Sequence, residues 1–130
     1  SPLDPALRSM VTVRISQINH CAFCVDINAA TLEKRGVSEE KILSLHGWRE
    51  DDNFGPIERA ALDYAEAMTY TDGEITETMS SELKNHFDDD AIVELTGLIA
   101  FQNMSSKFNA ALDIPPQGFC HVPNLDVDVD

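Results

Sequence analysis

The stretch His20-Cys21-Ala22-Phe23-Cys24-Val25-Asp26-Ile27-Asn28 decides how the rest of the chain is interpreted. Two of the three cysteines stand three positions apart in it, and in a helix this spacing places both sulfurs on one face. The chain from Cys21 to Arg35 has no proline or glycine, and Gly36 stands where a helix stops. We therefore predict a helix that begins at the cysteine pair and ends before Gly36.

The start of a helix is a favourable place for thiol chemistry. Its free backbone N–H groups and the positive end of its dipole stabilise a thiolate, which is the nucleophilic form of cysteine. His20 adjoins Cys21 and would lower the pKa of a nearby thiol as a cation, or pass a proton as a neutral imidazole. A surface or capping role is the alternative for His20. We predict redox chemistry at Cys21 and Cys24.

Two other interpretations of the cysteine pair stay open. A structural zinc site would need two more ligands, and only Cys120 and His121 suggest themselves, although sequence neighbours seldom both reach one metal. Alternatively, the two cysteines pack as small apolar side chains in the core. The sequence predicts neither a metal nor a cofactor.

Apolar residues at helical spacing predict an all-α domain of about six helices over residues 1–130, with no convincing strand. Capping residues mark most of the helix starts, namely Asp4, Ser38, Gly55, Thr76 and Asp88. We predict that the fourth helix ends at Asp72-Gly73 and the last at Pro115-Pro116, with Phe108 and Leu112 on its buried face. Residues 48–55 are predicted to form a polar loop, and residues 121–130 an acidic mobile tail.

The balance of charge excludes some partners. Nine basic against 23 acidic residues give a net charge of −14, which argues against nucleic acid and against an anionic membrane surface. No apolar run approaches the roughly 20 residues that span a bilayer, and no signal-peptide pattern occurs. Three cysteines are too few for a secreted disulfide scaffold, so we predict a cytoplasmic protein. The start at Ser1-Pro2, without methionine, indicates a processed product or a piece of a longer protein.

Several motifs together resemble the carboxymuconolactone decarboxylase/alkyl hydroperoxidase D (AhpD)-like family. They are Ile15-Ser16-Gln17-Ile18-Asn19-x-Cys21-x-x-Cys24, Glu58-Arg59-Ala60-Ala61-Leu62, Glu66-Ala67-Met68-Thr69, Asn103-x-x-Ser106-Lys107-Phe108-Asn109 and Gln117-Gly118-Phe119-Cys120. The similarity runs from about Leu3 to Cys120. It implies an all-α fold that assembles into homo-oligomers, and it allows for further helices before Ser1.

The resemblance also implies thiol-dependent reduction of a small hydroperoxide. By this analogy Cys24 is the peroxidatic thiolate and becomes a sulfenic acid, and Cys21 resolves it as a disulfide. An external dithiol or lipoyl-type donor then reduces the disulfide to two thiols. The residues alone do not assign which cysteine attacks.

The chain departs from the family pattern at two positions. The family peroxidases carry a histidine four residues after the second cysteine and a glutamate twelve residues before the first, where this chain has Asn28 and Ser9. Asparagine cannot exchange a proton near neutral pH, and acid–base help is typically worth about 10²–10⁴-fold, so slow turnover is expected. His20 and Asp26 are the candidates to replace the lost groups in part.

The sequence leaves two functions open besides peroxide reduction. A non-catalytic helical oligomer with structural cysteines is the first, and the loss of both relay residues favours it. Lactone decarboxylation, the other activity in the family name, ranks last, because only Arg14, Arg49 and Arg59 offer positive charge for a carboxylate-bearing substrate.

Overall fold

The computed structural model describes residues 2–123 and 125, and within this part of the chain it contains helices and no strand. The predicted all-α class with about six helices is confirmed. The helices are α1 (Pro5–Ile18), α2 (Ala22–Lys34), α3 (Glu39–Ser44), a 3₁₀ helix (Leu45–Glu50), α4 (Pro56–Thr69), α5 (Glu77–His86) and α6 (Asp89–Ala111).

Short polar side chains start four of these helices, as predicted. A carboxylate oxygen of Asp4 accepts the Leu7 N–H at 3.0 Å, and Asp88 accepts the Ala91 N–H at 2.8 Å. Ser38 and Thr76 bond in the same way to the third residue after each of them. Each such cap satisfies one of the N–H groups that a helix start leaves without a partner.

Two helix ends were predicted too late. Helix α4 ends at Thr69, before the expected Asp72-Gly73, and α6 ends at Ala111, four residues before Pro115. After α6 the chain turns at Asp113, which adopts the left-handed conformation (φ 54°), and the Ile114 N–H returns to the Asn109 carbonyl. Local turn geometry therefore ends this helix before the prolines do.

Helix α1 is the centre of the fold. It packs against α2, α4, α6 and the 3₁₀ helix, and residues 9–17 are all buried, whereas the sequence pattern indicated only one apolar face. A helix surrounded by neighbours has no solvent side on which to place polar residues. Polar side chains in this segment therefore depend on partners inside the protein, and among the described residues Gln17 Nε2 is buried without one.

The apolar core has two parts, one on either side of α1. One part lies between α1, α4, α5 and α6 and contains Leu7, Val11, Ile15, Leu95 and Ile99. The other lies under α2, α3 and the 3₁₀ helix and contains Met10, Leu32, Ile42, Trp48 and Val122. Of the predicted mobile tail, residues 124 and 126–130 lie outside the described residues, and for them mobility stays a prediction.

The predicted polar loop over residues 48–55 is wrong in its first part, because the 3₁₀ helix extends to Glu50. The reason is the anchoring of Trp48, which is 3% exposed and whose indole N–H donates to Glu66 Oε2 at 3.0 Å. The guanidinium of Arg49 lies over the indole, 4.3 Å from its centroid. Phe54 is also buried, so both ends of the segment are fixed to the core as predicted.

Helix α6 carries an exposed row of large apolar side chains, which we call the α6 stripe: Val93, Phe101, Met104, Phe108 and Leu112. Phe108 and Leu112 were expected to be buried, but they are 65% and 59% exposed. Ser106 faces the core, and Phe108 follows it by two positions, which is about half a turn around the helix. None of the described helices is both long enough and apolar enough to pass through a membrane.

Candidate redox site

The cysteine pair lies at the start of α2, where it was predicted. Cys21 is the N-cap residue, Cys24 lies in the first turn, and the two sulfurs form a disulfide with the Cα atoms 5.2 Å apart. The Cys24 N–H donates to Cys21 Sγ at 3.1 Å. One of the free N–H groups of the helix start is thus directed at a cysteine sulfur. Helix α2 ends before Gly36, which adopts φ 90°, as the sequence predicted.

A tight backbone turn places Cys21 at this cap position. The His20 N–H returns to the Gln17 carbonyl at 3.1 Å, and the Cys21 N–H returns to the Ser16 carbonyl at 3.0 Å. This is the Schellman arrangement at a helix end, and its left-handed residue is His20, with φ 55°. His20 therefore fixes the turn through its backbone, and its side chain is exposed beside the pair.

Both sulfur-bearing residues are buried, with Cys21 1% and Cys24 2% exposed. They nevertheless have a polar neighbour, because the side-chain amide of Asn109 donates to Cys24 Sγ at 3.6 Å. Asn109 comes from the last turns of α6, 85 residues further along the chain. Cys24 is therefore not enclosed by hydrocarbon alone.

Asn28 does not bond to either sulfur among the described contacts. Its side-chain amide donates to Ser16 Oγ at 3.3 Å, and Gln102 Nε2 donates to the same oxygen at 3.2 Å. Ser16 Oγ itself donates to the Thr12 carbonyl at 2.6 Å, so one hydroxyl joins α1, α2 and α6. The sequence did not identify Ser16. It is a small polar residue in an apolar helix, and such residues are too common to stand out.

The unusual polar residues of α6 are explained by contacts between helices. Gln102 bonds to Ser16 and also to Ser106, at 2.8 Å. Asn103 donates to Thr69 Oγ1 at 3.1 Å and accepts from Asn19 at 2.9 Å. Hydrogen bonds to neighbouring helices therefore account for the polar side chains at both positions.

Asp26 has a structural role. Its carboxylate accepts the backbone N–H groups of Gln117, Phe119 and Cys120 at 2.8, 3.1 and 2.8 Å. Burial acts to raise the pKa of Asp26, but these backbone donors outweigh it and hold the pKa below its ordinary value. Asp26 thus anchors the segment after α6 to α2, and its lowered pKa makes it poorly suited to relay a proton near neutral pH.

The third cysteine, Cys120, is not part of the disulfide. Burial, together with the negative charges of Glu33, Asp26 and Glu39, raises the pKa of the Cys120 thiol, which keeps it protonated and weakly nucleophilic. Within the described ranges, no three histidine, cysteine, aspartate or glutamate side chains are grouped so that they could hold a metal ion. Cys120 and His121 therefore do not complete a zinc site with the pair.

An apolar cavity includes Asn109, the hydrogen-bond partner of Cys24, in its lining. It measures about 380 Å³ and is lined by Phe101, Met104, Ser105, Phe108 and Asn109. The side chain of Asn109 thus lines the cavity and also donates to the Cys24 sulfur.

An all-α domain with a disulfide across the first turn of its second helix defines an AhpD-like dithiol protein. The sequence profile described as the carboxymuconolactone decarboxylase family matches residues 1–67, which include both cysteines. The chain belongs to this family. The family resemblance inferred from the motifs is confirmed.

Three relatives show how far the similarity extends. The uncharacterized protein YnjA of Escherichia coli is 46% identical over 123 residues, covering 95% of this chain and 68% of YnjA. The uncharacterized protein YdfG of Bacillus subtilis is 30% identical over 113 residues, covering 86% of this chain and 77% of YdfG. A crystal structure from Agrobacterium tumefaciens, described as a protein of unknown function and a candidate AhpD antioxidant defence protein, superposes with a TM-score of 0.85 at 28% identity. It covers 88% of this chain and 80% of that one.

Proposed function

We propose that this protein is a thiol-dependent oxidoreductase that reduces small hydroperoxides through a cycle between dithiol and disulfide at Cys21 and Cys24. The observation that carries the proposal is the disulfide at the start of α2, with an N–H donor on each sulfur. The similarity to an AhpD-type protein supports it.

The cycle has three balanced steps. The Cys24 thiolate attacks one peroxide oxygen, the O–O bond breaks, and an alcohol leaves with a Cys24 sulfenic acid remaining. The Cys21 thiolate then attacks the Cys24 sulfur, the sulfenic oxygen leaves as water, and the disulfide forms. An external dithiol or lipoyl-type donor supplies two electrons by thiol–disulfide exchange and restores both thiols.

The surroundings of the two sulfurs support this division of roles. Cys24 lies next to Asn109 and the apolar cavity, which is the side from which an organic hydroperoxide would arrive. Cys21 receives the Cys24 N–H, which stabilises a Cys21 thiolate as the resolving nucleophile and as the leaving group during reduction. Because both residues are almost fully buried, each encounter requires a local opening around Asn109.

Turnover is expected to be slow. The amide of Asn28 is bonded to Ser16 and cannot exchange a proton near neutral pH, and Ser9 offers only a hydroxyl. His20, exposed at the turn before Cys21, is the group that we propose as a partial replacement. A pair that must be reset by dithiols needs a reducing compartment, so a cytoplasmic location belongs to the same proposal.

Counting free thiols before and after exposure to peroxide tests the proposal. We expect the dithiol-reduced protein to carry three thiols that react with an alkylating agent after denaturation. One equivalent of cumene hydroperoxide should lower this number to one, and peptide mass spectrometry should identify the remaining thiol as Cys120. Three reactive thiols after the same treatment would instead support structural cysteines, the alternative that the burial of both sulfurs favours.

We also propose that the chain forms a homo-oligomer through the α6 stripe. Its side chains are 59–72% exposed. From Phe101 they follow one another at intervals of three, four and four residues, and Gly97 lies four residues from both Phe101 and Val93. A continuous exposed apolar row on a long helix is typical of an interface. Phe101, Met104 and Phe108 of the stripe also line the cavity beside Asn109, so a partner copy on this face would contribute a wall to the path of the hydroperoxide.

Changing Phe101 to glutamate is expected to dissociate the oligomer, because a carboxylate would be buried in an apolar contact. Sedimentation velocity measures the result. The matched control is Ile57→Glu, since Ile57 is 48% exposed on α4, away from the stripe. Equal sedimentation of the parent and Phe101→Glu, or equal dissociation of both variants, would contradict the assignment of this face.

Lactone decarboxylation has weak support from the arginines that the sequence offered for it. Arg14 is buried and donates to Glu66 Oε2 at 2.8 Å, and Arg49 pairs with Asp63 and Glu66. The guanidinium of Arg59 donates to the carbonyls of Phe54, Arg49 and Asp51. All three are engaged within the protein, so a substrate carboxylate would have to displace existing partners.

A further inference from the structure

A second cavity lies between α1 and α2, with Leu98 of α6 in its lining. It measures about 150 Å³ and is lined by Arg8, Ser9, Thr12, Asn28, Thr31, Arg35 and Leu98, and we call it the α1–α2 cavity. At about 30 Å³ per water it has room for roughly five water-sized groups. Two of its seven lining residues are arginines and none is acidic, in a chain whose net charge is −14.

Arg35 is held in this cavity without a carboxylate partner among the described residues. Its Nη1 donates to the Pro5 carbonyl and to Ser9 Oγ, both at 2.6 Å, and both acceptors are neutral. A guanidinium has five N–H donors in a rigid plane, so the N–H groups on Nε and Nη2 keep their capacity for a ligand. Ser9, which is 3% exposed, accepts from Arg35 and retains its own hydroxyl hydrogen for donation.

Thr12 and Thr31 contribute hydrogen-bond acceptors to the cavity. Thr12 Oγ1 donates to the Ser9 carbonyl at 3.0 Å, and Thr31 Oγ1 donates to the Ile27 carbonyl at 3.1 Å. Each hydroxyl has therefore used its hydrogen and can only accept a further hydrogen bond. The cavity thus combines charged donors with hydroxyl acceptors, and Leu98 adds a small apolar wall.

We propose that the α1–α2 cavity binds a small carboxylate that also carries a hydroxyl group. The planar fork of Arg35 suits the two carboxylate oxygens, with Ser9 and Arg8 as further donors. The ligand hydroxyl then donates to a threonine oxygen, and a short carbon chain contacts Leu98. Arg8 is shared with Glu94, whose carboxylate lies 3.5 Å from Arg8 Nη1, so Glu94 competes with the ligand.

The test is a titration of the protein with glycolate and, separately, with acetate. Two-dimensional NMR follows the binding at constant ionic strength, and a titration with sodium chloride is the control. We expect saturable shifts at the cavity residues and tighter binding of glycolate than of acetate by about threefold to tenfold, since the extra contact is one neutral hydrogen bond. The oxidised protein is used, so the result does not depend on peroxidase activity.

Variants distinguish a specific binding site from nonspecific attraction of anions to positive charge. Arg35→Gln should weaken glycolate binding at least about tenfold. Lys34→Gln removes the same charge one residue away, outside the cavity lining, and should change nothing. Glu94→Gln should tighten binding. Thr31→Val should weaken the binding of glycolate and leave the affinity for acetate unchanged. This variant also tests the proposal if Arg35→Gln does not fold.

Three results would overturn the proposal. The first is a response to glycolate that does not saturate or that sodium chloride reproduces. The second is equal weakening by Arg35→Gln and Lys34→Gln, which would indicate only the overall charge. The third is equal affinity for acetate and glycolate, which would refute the assigned ligand class.

Discussion

Changing Cys24 to serine is expected to reduce the rate of peroxide consumption at least about a thousandfold, to the level of the reductant alone, because the attacking thiolate is removed. A serine hydroxyl at this position is not deprotonated near neutral pH and does not attack a peroxide. The measurement is the loss of cumene hydroperoxide with excess dithiol reductant. Serine also fits in the space of cysteine, so the fold is expected to persist.

Two further cysteine variants serve as controls for this result. Cys120→Ser should retain the parent rate, because Cys120 is a free thiol with a raised pKa and is not part of the disulfide. Cys21→Ser should still react with a first equivalent of peroxide but should lose the efficient second step, since no resolving thiol is left. If Cys24→Ser consumes peroxide as fast as the parent, Cys24 is not the peroxidatic residue. A loss seen only in Cys21→Ser would reverse the two roles.

Changing Glu66 to glutamine is expected to lower the free energy of unfolding by about 3 kcal/mol or more, because it leaves a buried arginine without its counter-charge. Arg14 is 3% exposed and donates through Nε to Glu66 Oε2 at 2.8 Å. The same carboxylate accepts from Trp48 and Arg49, each at 3.0 Å. One side chain thereby joins α1, the 3₁₀ helix and α4.

Urea denaturation measures this loss. The control is Glu58→Gln, which breaks an ion pair with Lys41 that is about a quarter exposed, and it should cost less than about 1 kcal/mol. Similar losses for the two variants would show that the buried network contributes no more than a surface pair.

The acid side of the stability curve gives a second readout for Glu66. Burial acts to raise the pKa of Glu66, but hydrogen bonds from Arg14, Trp48 and Arg49, with the positive charge of Arg14, lower it overall. A carboxyl whose pKa is lower in the folded state stabilises the fold fully above its unfolded pKa of about 4.3. This contribution is lost as the pH falls through the folded pKa, so the parent should lose more stability on acidification than Glu66→Gln.

Local signals in the sequence predicted the parts of the fold that depend on neighbouring residues. The caps at Asp4, Ser38, Thr76 and Asp88 are side-chain bonds that span three residues, and each marks a helix start. The cysteine pair could be placed on α2 for the same reason. Its spacing and the stop at Gly36 are properties of one short segment.

Features that depend on distant residues were not predictable. Asn109 reaches Cys24 across 85 positions, and Gln102 reaches Ser16 across 86, and neither contact has a signature in local periodicity. The apolar pattern of α6 indicated that Phe108 would be buried, but periodicity shows only that residues share a face. It does not show whether this chain or another molecule covers that face.

Trapping the first oxidation product tests the central claim most directly. In Cys21→Ser the Cys24 sulfenic acid has no resolving partner, so one equivalent of cumene hydroperoxide followed by a dimedone-type reagent should label the protein once. Peptide mass spectrometry should place this label on Cys24. A label on Cys120, or no label while the peroxide is consumed at the parent's rate, would contradict the account.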